Sequence, residues 1–191
     1  ISIEYDGEEE VYDFTVDYKS RRMISNGLVT IECGETPLLP YESCNLGSIN
    51  LYNMIKDGQF NYDLFGETII TAIRFLDNVI DAQEFPHDLK LIEVTTKKYR
   101  KIGLGVMGFA DMLYAMGIRY GSLDSIGLIK SIMEFMDKKA TEVSTALAEE
   151  RGSFPEKKNS IYKDVKLRNA TVTTIAPTGS ISMIAGVSSG I

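Results

Sequence analysis

The two cysteines of the chain, Cys33 and Cys44, stand eleven positions apart in a stretch rich in glycine and proline. Glu35 follows Cys33 after a single glycine, and side chains two residues apart in an extended chain share a face. A thiol nucleophile, a metal site and a redox pair all use such an arrangement. The alternative is a buried, inert cysteine, and the residues alone leave these interpretations open.

The composition argues against two of the other catalytic or metal-binding arrangements. His87 is the single histidine of the chain, and the spacing of Cys33 and Cys44 fits no common zinc pattern. Ser-His-Asp catalysis would have to use His87, which has no supporting motif around it. We therefore predict no metal site and no catalytic triad.

A second candidate site follows a stretch of β-branched residues at 170–176, which predicts a strand. The strand leads into a small, hydroxyl-rich turn, an arrangement that presents backbone N–H groups to an anion. The candidate phosphate-binding residues are Pro177, Thr178, Gly179, Ser180, Ile181 and Ser182.

The stretch 103–108 matches the pattern G-x-G-x-x-G of dinucleotide-binding proteins. That fingerprint requires a hydrophobic strand directly before it, whereas the basic stretch 97–101 precedes it here. We interpret these glycines as positions of close helix packing and not as a nucleotide site.

Hydrophobic periodicity predicts the elements that must position these residues. Helices are predicted over 61–85, 88–117 and 124–150, with Asp124 as the N-cap of the third and Gly152 as its stop. The buried stripe of the first helix comprises Phe65, Ile69, Ala72, Ile73, Leu76 and Ile80. That of the third comprises Ile129, Ile132, Met133, Met136, Ala140, Val143 and Leu147.

The other segments contain more turn signals. Residues 33–60 are predicted to be loop with short extended pieces, and residues 1–32 a small β meander. The predicted fold class is thus α/β.

Charge and hydropathy limit the classes of function. A net charge of −7 and a pI near 4.8 argue against a broad nucleic-acid-binding face. No apolar run reaches the roughly 20 residues of a membrane span, and no signal peptide opens the chain. With two cysteines, the chain is expected in the cytoplasm. Because it begins with Ile1 and not with methionine, we expect a piece of a longer protein or a processed product.

The sequence CGETPLLPYESCNLGSINL at 33–51 resembles the active-site stretch of class II ribonucleotide reductases, which depend on adenosylcobalamin. The resemblance continues through 74–81, 100–111, 148–152 and 169–191. It implies that residues 33–191 are part of a ten-stranded α/β barrel, as a helix-rich fragment with the radical cysteine on an internal loop.

The resemblance also implies roles for individual residues. Cys33 is similar to the cysteine that becomes a thiyl radical and removes the 3′ hydrogen of the ribose. Glu35 is similar to the carboxylate that takes the 3′-hydroxyl proton, and Cys44 to one member of the redox pair that ends as a disulfide. Residues 177–182 resemble the loop that holds the substrate phosphates.

The family further implies a ribonucleoside di- or triphosphate substrate, a thioredoxin-type reductant, nucleotide effectors and a homodimer of the full-length enzyme, without DNA, RNA or membrane partners. The sequence departs from the family where Ile31 and Glu32 replace the usual Asn-Pro before the radical cysteine. The partner of Cys44 and a recognisable cobalamin-binding region are not found in these residues. A reductase with a separate metal-radical subunit is the alternative.

Residues 11–16 and 23–30 resemble the C-terminal blocks of an intein, which would make 1–32 an intein remnant with a β-rich structure. An active intein ends in His-Asn before a Cys, Ser or Thr, and here Ile31-Glu32 precedes Cys33. Glu lacks the amide that cyclises, so splicing is expected to be disabled.

The main hypothesis is therefore reduction of ribonucleotides to deoxyribonucleotides for DNA synthesis, by a chain that we expect to be inactive alone. The alternative is an intein-derived splicing segment. A third hypothesis is a structural or regulatory relic that only binds phosphate.

Overall fold

A computed structural model describes residues 35–191 of the protein. The chain divides into two units, Ile1–Pro37 and Leu38–Ile191, and everything below except the placement of Glu35 concerns the second. The predicted β meander, the intein-like segment and Cys33 lie outside the described residues, so these predictions are not tested by the fold.

The second unit is a helix-rich α/β structure, as predicted. Its strands are β1 (Leu46–Asn50), β2 (Ile55–Lys56), β3 (Gln59–Phe60) and β4 (Gly103–Met107). Its α-helices are α1 (Tyr62–Ala82), α2 (Lys90–Tyr99), α3 (Phe109–Ala115), α4 (Leu123–Arg151) and α5 (Gly179–Ala185). Short 3-10 helices cover Leu51–Met54, His87–Leu89 and Pro155–Asn159.

The central element is β4, all five residues of which are buried. It pairs in parallel with β1, in the register Leu46 with Gly103. On its other side Leu104 forms a parallel bridge with Thr173, and the Leu104 N–H donates to the carbonyl of Val172 at 2.8 Å. Continuous burial of an apolar and glycine strand is typical of parallel sheets, which are covered on both faces.

The predicted helix over 88–117 is wrong in its middle, which forms β4. Helix α2 ends at Tyr99. Its C-cap Arg100 has a left-handed φ of 50°, and Gly103 and Gly105 lie in the strand that follows. A Cβ at Gly103 would lie 2.7 Å from Leu46 Cδ2, and one at Gly105 would lie 2.7 Å from the backbone oxygen of Thr174. These glycines therefore allow close approach of strands, and not the close helix packing predicted.

Helices α1 and α4 confirm the predicted stripes. Phe65, Ile69 and Ile73 of α1 are fully buried, as are Ile132 and Met136 of α4, and the two helices pack against each other in the core. Burial of such side chains contributes roughly 1.5–3 kcal/mol each, so these two helices supply much of the apolar stabilisation of the core.

The ends of α4 confirm one capping prediction and correct the other. Gly152 is the C-cap, with φ of 85°. The N-cap is Ser122 and not Asp124, because the Ser122 side chain accepts a hydrogen bond from the Ser125 N–H at 3.2 Å. Asp124 lies in the first turn, where a carboxylate favours the positive end of the helix.

The C-terminal segment differs from its prediction. The predicted strand at 170–176 contributes a single bridge, at Thr173, and the residues predicted as a turn at 179–182 begin α5. Around that bridge the Leu104 N–H donates to the carbonyl of Val172, and the Thr174 N–H donates to the carbonyl of Leu104. No helix among residues 35–191 is both long and apolar enough to cross a bilayer.

Candidate active site

Cys44 is exposed and lies two residues before β1. The residue after it, Asn45, is buried and held on two sides: its Nδ2 donates to the carbonyl of Leu76 at 2.8 Å, and its carbonyl accepts from the Gly103 N–H at 3.0 Å. The loop predicted around Cys44 is therefore confirmed, and the residue after Cys44 is hydrogen-bonded to both α1 and the central strand β4.

The entry to Cys44 is fixed as well. Lys101 Nζ lies 2.8 Å from Glu42 Oε2, and the two side chains are 14% and 2% exposed. The hydroxyls of Ser43 and Thr96 lie 3.4 Å apart, which links the loop to α2. An exposed thiol thus stands on a segment whose neighbours are anchored on both sides.

Of the other two predicted catalytic residues, the structure describes Glu35. Cys33 lies outside the described residues, and Glu35 is half-buried in a bend. The predicted convergence of Cys33 and Glu35 on one substrate stays a prediction.

The predicted phosphate site lies at the start of α5. Thr178 has φ of 55°, and its hydroxyl accepts a hydrogen bond from the Gly190 N–H at 2.8 Å, so it does not cap the helix. The first N–H groups of a helix have no acceptor within it. The amides of Gly179, Ser180 and Ile181, which are exposed residues, therefore form a partly positive surface suited to an anion.

The segment after α5 folds back onto the sheet. The Ser188 N–H donates to Asp111 Oδ2, and the Gly108 N–H donates to the carbonyl of Ser188 at 2.8 Å. The hydrogen bond from the Ser188 backbone lowers the pKa of the Asp111 carboxyl. Together with the Thr178–Gly190 bond, these contacts hold the segment after α5 against the start of α3 and against Thr178, the residue before α5.

The two described parts of the candidate site lie at opposite ends of the parallel strands. Cys44 precedes the amino end of β1, whereas Thr178 follows the carboxyl end of the segment that pairs with β4. A five-residue strand spans roughly 17 Å, so the two parts of the candidate site are separated by at least about the length of a strand.

The structure also contains a buried charged cluster that the sequence analysis did not single out. Asp77 is fully buried and accepts from Arg100 Nη2 at 2.8 Å, Arg168 Nε at 3.1 Å and Arg151 Nη1 at 3.1 Å. Asn169 Nδ2 donates to the same carboxylate at 3.1 Å. The cluster joins α1, α4, the end of α2 and the segment before Thr173.

Electrostatics explains how a carboxylate persists there. Burial alone would raise the pKa of Asp77, but the hydrogen bonds and positive charges of Arg100 and Arg168 outweigh that effect and hold the pKa below its ordinary value. A signal for this residue exists in the sequence, since Asp77 falls on the apolar stripe of α1 beside Ile73 and Ile80.

An open groove of about 700 Å³ lies between β1 and α1 and is lined mainly by apolar side chains such as Leu46, Phe75 and Met107. Within residues 35–191 no three His, Cys, Asp or Glu side chains are grouped to hold a metal ion.

Comparison with known proteins shows the family. The family described as "Ribonucleotide reductase, barrel domain" matches residues 29–191 of the chain. The vitamin B12-dependent ribonucleoside-diphosphate reductase of Thermoplasma acidophilum is 53% identical over 165 residues, which is 85% of this chain and 21% of that protein. The enzyme of the same name from Mycobacterium tuberculosis is 48% identical over 163 residues, 85% of this chain and 23% of that protein.

A solved structure agrees with these relatives. The Actinobacillus ureae class Id ribonucleotide reductase alpha subunit superposes with a TM-score of 0.63 at 27% identity, over 77% of this chain and 27% of that one. The chain spans about a fifth of the length of the curated relatives it matches. By its sequence and by its fold, the chain belongs to the ribonucleotide reductase family and holds part of the barrel domain.

Proposed function

We propose that the full-length protein containing this chain reduces ribonucleotides to deoxyribonucleotides and depends on vitamin B12. The observation that carries the proposal is the exposed Cys44 on an anchored loop, in a chain that belongs to the reductase family. Two relatives at 48–53% identity bear the name of a vitamin B12-dependent ribonucleoside-diphosphate reductase. Because the chain covers about a fifth of those proteins, the activity is assigned to the full-length enzyme.

The proposed chemistry uses three residues. Cys33, as a thiyl radical, removes the 3′ hydrogen of the ribose, and Glu35 takes the proton of the 3′-hydroxyl. The 2′-hydroxyl takes up a proton from a thiol and leaves as water, and two thiols together supply two electrons and two protons and become a disulfide. Glu35 returns the proton to the 3′ oxygen, and the Cys33 thiol returns the hydrogen to C3′, which regenerates the thiyl radical. Cys44 is one of these thiols, and since the chain has two cysteines, the other lies outside it.

Residues 177–182 are proposed to hold the phosphates of the substrate. The support is the first turn of α5, whose exposed amides are not capped by Thr178. Backbone amides at a helix start bind phosphate through hydrogen bonds and the helix dipole. The diphosphate in the names of the relatives favours a nucleoside diphosphate over a triphosphate.

The names of the relatives also support adenosylcobalamin as the cofactor of the full-length enzyme, where it would supply the radical. The exposed surface of the groove beside β1 is mainly apolar, so we do not assign this groove to the amide-rich cofactor. We therefore propose that its binding residues lie in other parts of the enzyme. A thioredoxin-type reductant, nucleotide effectors, a homodimer, a cytoplasmic location and a complete ten-stranded barrel complete the proposal.

The roles of the cysteines can be tested in the full-length enzyme with adenosylcobalamin, a dithiol and a nucleoside diphosphate. Cys33→Ser and Cys44→Ser are each expected to lower turnover about 10³-fold or more, because each removes an obligatory sulfur. Ser131→Ala, which changes a helix surface hydroxyl far along the chain from either cysteine, is the control. Turnover by Cys44→Ser at the wild-type rate would contradict the role of Cys44, and turnover without adenosylcobalamin would favour a metal-radical subunit.

The phosphate site has its own test. Ser180→Asp places a like charge in the first turn of α5 and is expected to raise the KM for the substrate about 10-fold or more. The neutral isostere Ser180→Asn is the matched control and should leave KM within about twofold. Equal KM values for the two variants would place the phosphates elsewhere.

We also propose that residues 1–32 are the remnant of an intein with a disabled junction. The support is the family match, which begins at residue 29 and leaves most of this segment outside it. Restoring His-Asn with the double variant Ile31→His/Glu32→Asn should produce cleavage before Cys33, detected by intact mass after incubation with a thiol. The unaltered chain is the control, and an intact double variant would count against the intein.

A further inference from the structure

We propose that Glu42 and Lys101 are positioning residues that fix the backbone on which the Cys44 thiol stands. This inference rests on the proposed function for the use of Cys44 in reduction, but the clamp itself is a property of the described residues.

The ion pair differs from the others on the surface of the domain. Lys101 Nζ and Glu42 Oε2 are 2.8 Å apart, and the carboxylate side chain is 2% exposed. By comparison, Lys98 and Glu156, which join α2 to the 3-10 helix at Pro155–Asn159, lie 3.8 Å apart with side chains 48% and 24% exposed. Water screens the exposed pair strongly and the buried pair little, so the buried pair holds one geometry.

Each partner stands on a different element. Lys101 follows Arg100, which is held in the buried cluster by Asp77, and it comes directly before the hydrogen bond from the Ile102 N–H to the carbonyl of Thr171. The side chain of Lys101 is therefore attached to the backbone directly before the central strand β4. Glu42, two residues before Cys44, is brought to it by a turn in which the Glu42 N–H donates to the carbonyl of Leu39.

The clamp acts together with Asn45. The backbone is fixed at Glu42 through Lys101 and again at Asn45 through Leu76 and Gly103, so only two residues separate the anchors. Cys44 is one of these two, and its side chain stays exposed. The thiol is therefore accessible while its backbone is held in place, which is the condition for reducing a defined position of a bound substrate.

The test uses the mobility of a nitroxide label on the chain. In a Cys33→Ser background Cys44 is the single thiol, and a methanethiosulfonate nitroxide attached there reports local motion by electron paramagnetic resonance. Glu42→Gln and Lys101→Met are each expected to shorten the rotational correlation time of the label about twofold or more. Lys98→Met, which breaks the exposed pair on the neighbouring helix, is the matched control and should leave the spectrum unchanged.

Charge reversal separates a positioning role from a general loss of stability. The double variant Glu42→Lys/Lys101→Glu keeps opposite charges facing each other and is expected to restore the hindered spectrum, which a merely unstable chain would not do. Circular dichroism melts identify any variant that fails to fold, and Glu42→Gln, the milder change, then carries the test. An unchanged spectrum in folded Glu42→Gln and Lys101→Met would overturn the proposal, as would a double variant as mobile as the single ones.

The full-length enzyme links the clamp to the reaction. There Glu42→Gln is expected to lower kcat about 10-fold or more and to leave KM within about twofold, because the thiol is displaced while substrate binding is not. If the label is mobile in Glu42→Gln and the Cys44→Ser enzyme still turns over at the wild-type rate, the clamp is upheld and the proposed role of Cys44 is refuted. If the label stays hindered in Glu42→Gln and the Cys44→Ser enzyme is inactive, the clamp is refuted and the role of Cys44 is upheld.

Discussion

Replacing Asp77 with asparagine is the sharpest test of how this domain is held together. The carboxylate is fully buried and receives donors from Arg100, Arg151, Arg168 and Asn169. Asparagine keeps the size of the side chain but removes the negative charge, and its NH2 group faces guanidinium donors. Breaking a buried ion pair by removing one partner typically costs about 3–5 kcal/mol, because charges are left uncompensated.

That cost gives a measurable shift in melting temperature. For a domain of this size each kcal/mol lowers Tm by roughly 2–4 °C, so Asp77→Asn should melt about 6–20 °C below the wild type. The loss is a large share of the roughly 5–15 kcal/mol that stabilises a typical domain. Thermal unfolding of the purified chain followed by circular dichroism measures it.

A matched control and a double mutant sharpen the assay. Glu134→Gln removes the same charge from the exposed pair with Lys130, in which the two side chains are 67% and 76% exposed, and should melt close to the wild type. Adding Arg168→Met to Asp77→Asn should cost less than the sum of the two single changes, because the second change removes one of the uncompensated charges. A Tm for Asp77→Asn within about 2 °C of the wild type would refute the reasoning.

Three further predictions concern pH, a strand glycine and a helix cap. The pKa of Asp77 is lowered on folding, so below about pH 4 the unfolded chain binds more protons than the folded chain. The free energy of unfolding should therefore decrease as the pH is lowered through this range, and it should decrease less in Asp77→Asn. Thermal melts at stepped pH measure the difference. Gly105→Ala should lower the free energy of unfolding by about 1–3 kcal/mol or more, because the added Cβ would clash with the backbone oxygen of Thr174. Gly127→Ala, whose added Cβ enters open space on α4, should raise it by about 0.5–1 kcal/mol, and urea unfolding measures both. Ser122→Ala should cost about 1 kcal/mol in the same assay, and no loss would contradict its role as N-cap.

Periodicity predicted α1 and α4 well because each helix buries one continuous apolar stripe. Ile69 and Ile132, for example, are fully buried on the faces that their spacing indicated. Such a pattern is local, since every residue that defines it lies within a few turns of the others. The class of fold and the positions of the long helices were therefore available from the sequence.

Strand β4 was missed because its identity depends on residues far away. Glycine residues in a short window predict neither a helix nor a strand. Glycine is needed here because Leu46 on one side and Thr174 on the other approach the strand closely. The Asp77 cluster shows the same limit, since Arg168 lies 91 positions along the chain. A pattern in a short window cannot contain such a pairing.

The candidate site divides in the same way. The thiol of Cys44 and the small residues before α5 were recognised from residue types, and the structure confirms the loop but replaces the predicted turn with a helix start. The anchors of Cys44 were not predicted, because Glu42 and Lys101 are 59 positions apart. Cys33 lies outside the described residues, so its role still depends on the resemblance.

The position of β4 between two distant partners has a consequence for the order of folding. Leu46 and Gly103 are 57 residues apart, and Leu104 and Thr173 are 69 apart, so both pairings close long loops. Local helices form in microseconds, whereas such pairings must first overcome the entropy of loop closure. On a ribosome, α1 and α4 are available before Thr173 has been synthesised. We therefore expect the sheet to be completed last, after the segment that leads to α5 has emerged.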